Sequence, residues 1–415
     1  MDAEATSSSS SRWGTRDFRL LMTGQGLSWL GDAFQPIALS VAVIGSGGSA
    51  GDLGLLLACG IVGRLGCSLI GGVWADRVRP QAIMITADLV RAGAAAVLAV
   101  LYLGEHHPLP LLCALVTVFG GAGAFFFPAM SSLKPIVVAV DQRQAANATL
   151  SAVQTAALTV GPVAAGLLIA AFGAPFGFAV NAASFLASAV TVVLIRVRSD
   201  RSERTGFLAE LRSGFAAVRS RDWLFWGIVA AGIYHVANGV ILVTVNVVAL
   251  RDLGGAAALG VISGAEGLGG VLGSLVAIRV RPRRPLAVGF VALGLMPIWV
   301  LSYVWPGTLT GVLLGAGIGY SGLMFFGVCW DTAIQNHVPH ELLARVTSWD
   351  TLTSFVGMPL GQALAGFLTD RFGTQPVLVA GAVVIFVAGV GPLVVPGSRR
   401  LTWGPSPAAD GALRA

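Results

Sequence analysis

The chain contains a succession of apolar runs, each about as long as a helix that crosses a lipid bilayer. Such a helix needs roughly 20 mostly apolar residues. Twelve runs reach this length, at 18–44, 52–75, 82–103, 109–131, 146–171, 175–195, 223–249, 256–278, 285–304, 308–335, 347–369 and 375–395. Only 11% of the residues are charged and 55% are apolar, which is not the balance of a soluble domain. The sequence therefore predicts an all-α membrane protein with twelve transmembrane helices.

Arginines are concentrated in alternate gaps between these runs, and the opposite gaps contain only Arg251 and Arg371. Because basic residues stay on the cytoplasmic side, both termini and the long middle loop should be cytoplasmic. We expect a disordered N-terminus, a six-helix bundle, a cytoplasmic loop, a second six-helix bundle and a cytoplasmic tail, at 1–17, 18–195, 196–222, 223–395 and 396–415. The net charge of +6 thus reflects topology, and no nucleic acid is expected as a partner.

An internal repeat relates the two sets of six runs. The segment from Ala75 to Pro80 resembles the segment from Ala277 to Pro282, although Ile278 stands where the first copy has Asp76. At an offset of two hundred, a Phe-Phe pair and two glycines also recur; these are Phe125-Phe126 with Phe325-Phe326, and Gly161 and Gly166 with Gly361 and Gly366. A repeated set of helices in a membrane predicts two pseudo-symmetric bundles.

The turn after the second run carries the pattern Gly-x-x-x-Asp-Arg at Gly72, Asp76 and Arg77. With six plus six spans and a basic middle loop, the chain resembles the major facilitator superfamily, in particular bacterial exporters of the enterobactin-exporter and macrolide-efflux type. The resemblance implies alternating access in a bacterial plasma membrane and export of small amphipathic molecules such as drugs, antibiotics, siderophores or other secondary metabolites in exchange for protons. The alternatives are an importer of a small nutrient and a non-transporting membrane sensor.

The resemblance also assigns roles to two motifs. It implies that Asp76 gates the transporter by facing the start of the eleventh helix, where a helix N-terminus attracts a carboxylate; the alternative is a loop anchor that pairs with Arg77 or Arg79. The residues Gly161, Pro162 and Gly166 resemble the antiporter signature of helix five, which favours efflux over uptake. Two departures are that Arg79 and Pro80 replace the usual residues after the Asp-Arg pair, and that run 109–131 lacks an arginine.

Two carboxylates lie near the middle of apolar runs. A charge at that depth is costly, so it usually faces a cavity and has a function. Asp32, in the first run, has Arg64 of the second run as a candidate partner, and the alternative is a structural ion pair. Glu266, in the eighth run, has no evident partner nearby. These three residues are the candidates for proton coupling, and for Glu266 a structural role remains equally open.

The remaining candidates concern the substrate cavity, which we expect to be apolar and aromatic. The cavity candidates are Phe34, Gln35, Phe126, His235, Asn238, Phe326, Trp330 and Asp331. For His235 a hydrogen-bonded packing role is the alternative, and Asp88 with Arg91 should form a structural pair three residues apart on one helix.

Several other classes of function find no support in the sequence. No phosphate-binding Gly-x-x-x-x-Gly-Lys pattern occurs, and the single lysine, Lys134, does not supply one. The four cysteines have no metal-ligand spacing, and no set of nucleophile and base is evident. We therefore expect no enzymatic activity, no metal and no cofactor. The expected partners are a small-molecule substrate, protons and the lipid bilayer, and the protein should be a monomer.

Overall fold

The computed structural model describes residues 16–75, 79–104, 107–138, 143–196, 215–280, 282–305 and 307–402. Within these ranges the regular structure is helical and contains no strand. The helices, numbered in chain order, are α1 Arg16–Asp32, α2 Phe34–Gly45, α3 Ala50–Ala75, α4 Pro80–Leu101, α5 Leu109–Val137, α6 Arg143–Phe172, α7 Ala174–Val193, α8 Asp222–Asp252, α9 Gly255–Arg279, α10 Pro285–Leu293, α11 Met296–Ser302, α12 Leu309–His337, α13 His340–Phe372, α14 Thr374–Val390 and α15 Pro396–Arg400.

Eleven segments of the described chain are long and apolar enough to cross a membrane. The first joins α1 and α2, and the ninth joins α10 and α11. The helix α13 has 33 residues, but it is not among the eleven segments that meet both the length and the apolar composition of a span. The all-helical membrane class that the sequence predicts is thus confirmed, with eleven spans identified by length and composition.

Two of the spans are interrupted, and a proline explains each interruption. The first is broken at Ala33, directly after Asp32. In a continuous helix the Asp32 carbonyl would accept a hydrogen bond from the N–H of position 36, which is Pro36. Proline has no N–H and its ring clashes with the preceding turn. The ninth is broken at Gly294 and Leu295, just before Pro297. The first break matters for function because it lies beside Asp32.

The outer surface of the helices is strongly apolar, as expected of a protein surrounded by lipid. Large side chains such as Val100, Phe172 and Phe367 are more than 60% exposed. A soluble protein rarely exposes so much contiguous apolar surface. Backbone groups along these faces are satisfied within the helices, which is what a bilayer requires.

The glycines of the internal repeat occupy equivalent places in the two halves of the chain. Gly161 of α6 lies against Ala33 of the first span, so that a Cβ on this glycine would be 2.7 Å from the Ala33 Cβ. Its repeat partner Gly361 of α13 lies against the Val236 carbonyl of α8. Each glycine thus brings the fifth long helix of its half close to the first.

The second pair of repeat glycines joins the two halves. A Cβ on Gly166 would lie 2.6 Å from the Gly260 Cα, which places α6 against α9. Gly366 likewise lies against Gly51, which places α13 against α3. These two crossed contacts are what an internal two-fold relation produces, and they account for the most extensive packing between the halves.

Both contacts between the halves lie at the same end of the molecule. Gly51 and Gly260 lie near the starts of α3 and α9, and Gly166 and Gly366 lie near the ends of α6 and α13. We call this the closed end. Within the described residues, neither α6 with α12 nor α5 with α13 packs extensively. We call this opposite end the open end.

The two ends of the described chain both lie at the open end. The Asp17 carboxylate accepts a hydrogen bond from the Arg196 backbone N–H, with 3.3 Å between the atoms, so α1 starts where α7 has just ended. In the second half, Gly397 lies against Trp223 at the start of α8. The basic residues Arg79 and Arg279 also lie at the open end, because α3 and α9 both run away from the closed one.

Candidate functional site

A buried cluster of charges joins the first and third spans. The Arg91 guanidinium is 2.5 Å from an oxygen of Asp88 and 3.7 Å from an oxygen of Asp32. Asp88 and Arg91 form the pair on α4 that the sequence predicts, and Arg91 also reaches α1. The side chain of Asp88 is fully buried, whereas that of Asp32 is 38% exposed. Asp32 therefore is the member of the cluster that other molecules can reach.

Two aromatic rings hold the guanidinium of Arg91. Its central carbon is 4.7 Å from the ring centre of Phe126 and 4.1 Å from that of Phe185. A guanidinium so close to aromatic faces gains from cation–π attraction, most when water is excluded. Phe126, predicted to line the cavity, is 8% exposed and supports this arginine.

The structure corrects the predicted partner of Asp32. Its ion pair is with Arg91 of α4, not with Arg64 of α3. Arg64 is exposed and attracts Asp32 more weakly than Arg91 does. In the sequence, Arg64 lies at about the same depth in the membrane as Asp32. Depth alone, however, does not determine which neighbouring helix carries the arginine that pairs with Asp32.

Two further cavity candidates of the first half belong to the packed interior. Phe34 is 5% exposed and Gln35 is 8% exposed. The Gln35 side-chain oxygen accepts a hydrogen bond from Asn181 of α7, at 2.9 Å. In this state of the molecule neither residue borders an open cavity. Gln35 faces α7 just after the interruption at Ala33, which the apolar pattern alone does not indicate.

Glu266 lies in an aromatic cluster of the second half. Tyr320 of α12 and Tyr303 both lie near enough to its carboxylate to interact with it electrostatically. The Trp299 ring is 5.3 Å from that of Tyr320 and 6.2 Å from that of Tyr303, centre to centre. No arginine, lysine or histidine of the described residues forms an ion pair with Glu266, so its neighbours are neutral tyrosines from elements that are distant in sequence.

Several buried polar atoms of the second half have no hydrogen-bond partner among the described residues. They include the Tyr234 hydroxyl, the Asn238 side-chain oxygen and the Gln362 side-chain oxygen. Such atoms are uncommon in folded proteins because each one is costly. Sequence reasoning missed the tyrosines; the available signal was that three of the chain's four tyrosines fall in apolar runs of the second half.

The other candidates of the second half divide between packing and exposure. The His235 Nδ1 is 2.6 Å from the Ala231 carbonyl of the preceding turn, which fits the packing role. Phe326 and Trp330 stack at 5.9 Å, and the Trp330 indole donates to an oxygen of Asp350 at 3.3 Å. Asp331 is exposed, so it remains available to solvent or substrate.

The gate motif is only partly described. Gly72 belongs to α3, whereas Asp76 and Arg77 lie outside the described residues. The motif of α6 is fully placed: Gly161 contacts the break in the first span, and the Pro162 carbonyl and Gly166 contact Gly260. This motif therefore touches both the helix that carries Asp32 and the opposite half.

The described residues contain no group of histidine, cysteine and acidic side chains that could hold a metal ion. The four cysteines are free.

Comparison with known proteins places this architecture in a family. The family model described as Major Facilitator Superfamily matches residues 21–362. Among solved structures, a bacterial homologue of the human lysosomal transporter Spinster in an inward-facing, unoccupied conformation is similar with a TM-score of 0.75 at 14% identity, over 96% of this chain and 100% of that one. The chain belongs to the major facilitator superfamily and is a multi-pass membrane transporter.

Two curated relatives cover almost the whole chain. Macrolide efflux protein A of Streptococcus pyogenes is 24% identical over 393 residues, which is 91% of this chain and 95% of the relative. The multidrug efflux pump Tap of Mycobacterium tuberculosis is 25% identical over 404 residues, or 92% of this chain and 93% of the relative. A bacterial homologue of the iron transporter ferroportin in the inward-facing state has the same fold, with a TM-score of 0.73 at 16% identity over 93% and 99% of the two chains.

Proposed function

We propose that the protein is a secondary active exporter that moves small amphipathic molecules out of the cell in exchange for protons. Two relatives over nine-tenths of the chain are named as efflux proteins, which supports the direction. The observation that carries proton exchange is the ion pair between Asp32 and Arg91, which has a half-exposed carboxylate at the end of a broken helix.

The proposed topology adds α13 to the eleven spans. It is the eleventh in chain order and brings the total to twelve, in two halves of six. Both termini and the middle loop lie in the cytoplasm, since the arginine-rich ends belong there. The closed end then faces outward, and the structure corresponds to a state open to the cytoplasm. The protein acts as a monomer in the bacterial plasma membrane.

Coupling follows from what a proton does to the cluster. Ionised Asp32 attracts Arg91 and so holds the end of α1 near α4. A proton on Asp32 removes that attraction, and Arg91 keeps Asp88 as its partner. Since α1 ends at Asp32 and Gly161 contacts the break beside it, release of α1 alters the packing of the first span against α6. Protonation and conformation are then linked, and linkage acts in both directions.

The test is transport by purified protein in liposomes under an imposed pH gradient, with a panel of macrolides, dyes and neutral lipophilic drugs. An exporter accumulates at least one of them against its gradient when the pH drives it, and a deletion strain retains more of the same compound. Net uptake by intact cells would favour the importer instead. A protein that moves nothing in the panel would contradict the proposal and favour the sensor.

A further inference from the structure

Three helices of the second half meet at the open end. The short helix α15 packs against both α8 and α10. A Cβ on Gly397 of α15 would lie 3.2 Å from the Trp223 Cβ in the first turn of α8. Leu286, in the first turn of α10, and Leu401, just after α15, belong to the same apolar cluster as Trp223. We call this meeting point of α8, α10 and α15 the basal junction.

Arginines surround the basal junction, just before α8, just before α10 and within α15. In the described part of the chain none of these arginines forms an ion pair with a carboxylate. They are Arg219, Arg221, Arg283, Arg284, Arg399 and Arg400. The basal junction therefore carries a large excess of positive charge.

Three of these arginines already contact protein groups. The guanidinium carbon of Arg219 is 5.0 Å from the centre of the Phe225 ring. Arg221 donates to the Ala217 carbonyl at 3.0 Å, and Arg399 donates to the Val394 carbonyl at 3.4 Å. Arg283, Arg284 and Arg400 are exposed, which leaves their guanidinium groups accessible to a ligand.

The equivalent place in the first half is closed by the protein itself. The segment Arg221-Asp222-Trp223 at the start of α8 resembles Arg16-Asp17-Phe18 at the start of α1. Asp17 is buried, lies 3.9 Å from Arg16 and accepts the Arg196 backbone N–H. Asp222 is instead exposed and takes part in no ion pair within the described residues. The two halves share a sequence here, but the first half alone buries its own anion.

Free hydrogen-bond donors at the basal junction also indicate a ligand. The first turns of α8 and α10 have no side-chain cap, and the N–H groups of such a turn can donate to an anion. Ser398 of α15 is fully buried, and its hydroxyl has no hydrogen-bond partner among the described residues. A phosphate group accepts hydrogen bonds from N–H, O–H and guanidinium donors alike.

The basal junction borders the apolar surface that faces lipid. Trp226, one turn into α8, is 51% exposed, and Val394, just before α15, is 79% exposed. Tryptophan is enriched where a membrane meets water, and clustered arginines beside a membrane attract anionic headgroups. A phospholipid can place its phosphate at the arginines and its acyl chains along these apolar residues. A soluble phosphate would match the charge alone.

We propose that the basal junction binds the headgroup of an anionic phospholipid, with Arg283, Arg284 and Arg400 as its main contacts. The bound lipid joins the end of the middle loop and the C-terminal segment to the second half. Such a site serves an exporter, an importer or a sensor equally, so its existence does not depend on the proposed function.

The experiment measures lipid binding to the purified full-length protein by native mass spectrometry. The probes are dioleoylphosphatidylglycerol, which is anionic, and dioleoylphosphatidylcholine, which has the same acyl chains and no net charge. We expect the wild-type protein to bind the anionic lipid at least about tenfold more tightly. Hydrogen exchange in segments 283–290 and 396–402 should slow with this lipid, and should not slow with glycerol 3-phosphate at the same concentration.

The key variant combines Arg283→Gln, Arg284→Gln and Arg400→Gln. It should weaken binding of the anionic lipid by roughly tenfold and leave the zwitterionic lipid within about twofold. The matched control removes the same charge from exposed arginines at the open end of the first half, and it should keep the preference for the anionic lipid. This control combines Arg19→Gln, Arg79→Gln and Arg196→Gln.

Each other outcome contradicts the proposed lipid site. Equal affinity of the wild-type protein for the two lipids would overturn it. Equal slowing of exchange by glycerol 3-phosphate would assign the basal junction to a soluble phosphate. An equal loss in both triple variants would attribute the preference to the overall charge of this end. If the key variant does not fold, the pair Arg284→Gln and Arg400→Gln replaces it. This pair should weaken binding of the anionic lipid at least about threefold, and an unchanged affinity would reject the site.

Discussion

At the scale of single residues, the molecule is organised by how its few intramembrane charges are matched. Arg91 serves two carboxylates, one fully buried and one partly exposed. The buried carboxylate is matched only through this arginine, so the pair Asp88–Arg91 is the fixed part of the cluster. If Asp32 becomes neutral, Arg91 is still paired with Asp88, so no buried charge is left without a partner. In the proposed mechanism, this asymmetry gives Asp88 a structural role and Asp32 the exchange of protons.

The substitution Asp32→Asn tests this assignment. It should abolish pH-driven accumulation of substrate in inside-out vesicles and leave binding largely intact, because only the exchangeable charge is removed. Binding and transport are measured on the same preparation, with Asp252→Asn as the control. A variant that still builds a gradient from an imposed pH difference would show that Asp32 is structural and that coupling lies elsewhere.

The substitution Arg91→Met tests the fixed part. It leaves Asp88 as an unmatched buried carboxylate, which typically costs about 3–5 kcal/mol. Thermal unfolding in detergent should show this loss, whereas the same change at exposed Arg64 should stay within about 0.5 kcal/mol. Equal stabilities of Arg91→Met and Arg64→Met would contradict the role given to the cluster.

At the scale of helices, the contacts between the two halves depend on the absence of side chains. At Gly166 and Gly260 the backbones of α6 and α9 approach so closely that a Cβ on either would overlap the other helix. Small residues allow membrane helices this approach. The motif that resembles an antiporter signature is thus part of the closed end. Its proline lies within α6 without ending it, since neighbouring helices surround the kinkable segment.

Gly166→Leu should open the closed end. The large side chain has no space against Gly260, so the state in which α6 and α9 separate should gain population. In a background without the native cysteines, a cysteine in place of Ser49 at the closed end reports this as faster labelling by a bulky thiol reagent. Gly66→Leu is the control, because a side chain at Gly66 meets nothing within 4 Å. An unchanged labelling rate would show that the α6 motif does not contribute to keeping this end closed.

At the scale of the whole molecule, transport requires two states that differ in which end is closed. The structure represents one of them. The proposed gate at Asp76 belongs to the other, in which the open end has closed and the start of α13 has come near. Removing a contact that is made in only one state shifts the population towards the other state, and the free energy of the shift equals the free energy that the contact contributed.

Asp76→Asn should therefore act opposite to Gly166→Leu. In the same labelling background, thiol reaction at the Ser49→Cys position should slow, because the state with this end closed gains population. Export should fall while expression and insertion remain normal. Gly72 is left unchanged, so the backbone of the motif is preserved. Faster labelling, or wild-type labelling with wild-type export, would contradict the gate.

The membrane class and the repeat could be derived from the sequence, because each depends on local chemistry, whereas the break in the first span at Ala33 was not predicted. A bilayer requires apolar runs of a fixed length, and the same residues recur at corresponding positions of the two halves. The equivalent glycines at an offset of two hundred also predicted equivalent contacts, which the structure contains at Gly166 and Gly366.

What only the tertiary structure decided is which side chains meet. Asp32 pairs with Arg91 rather than Arg64 because of how α1, α3 and α4 are rotated about their axes. Tyr303 and Tyr320, which lie near Glu266, come from the end of the ninth span and from the tenth, and no local pattern relates them. A hydropathy pattern gives the depth of a residue in the bilayer but carries little information on its helical neighbours. Lipid is as apolar as the protein interior, so the sequence hardly distinguishes a face that packs from one that does not.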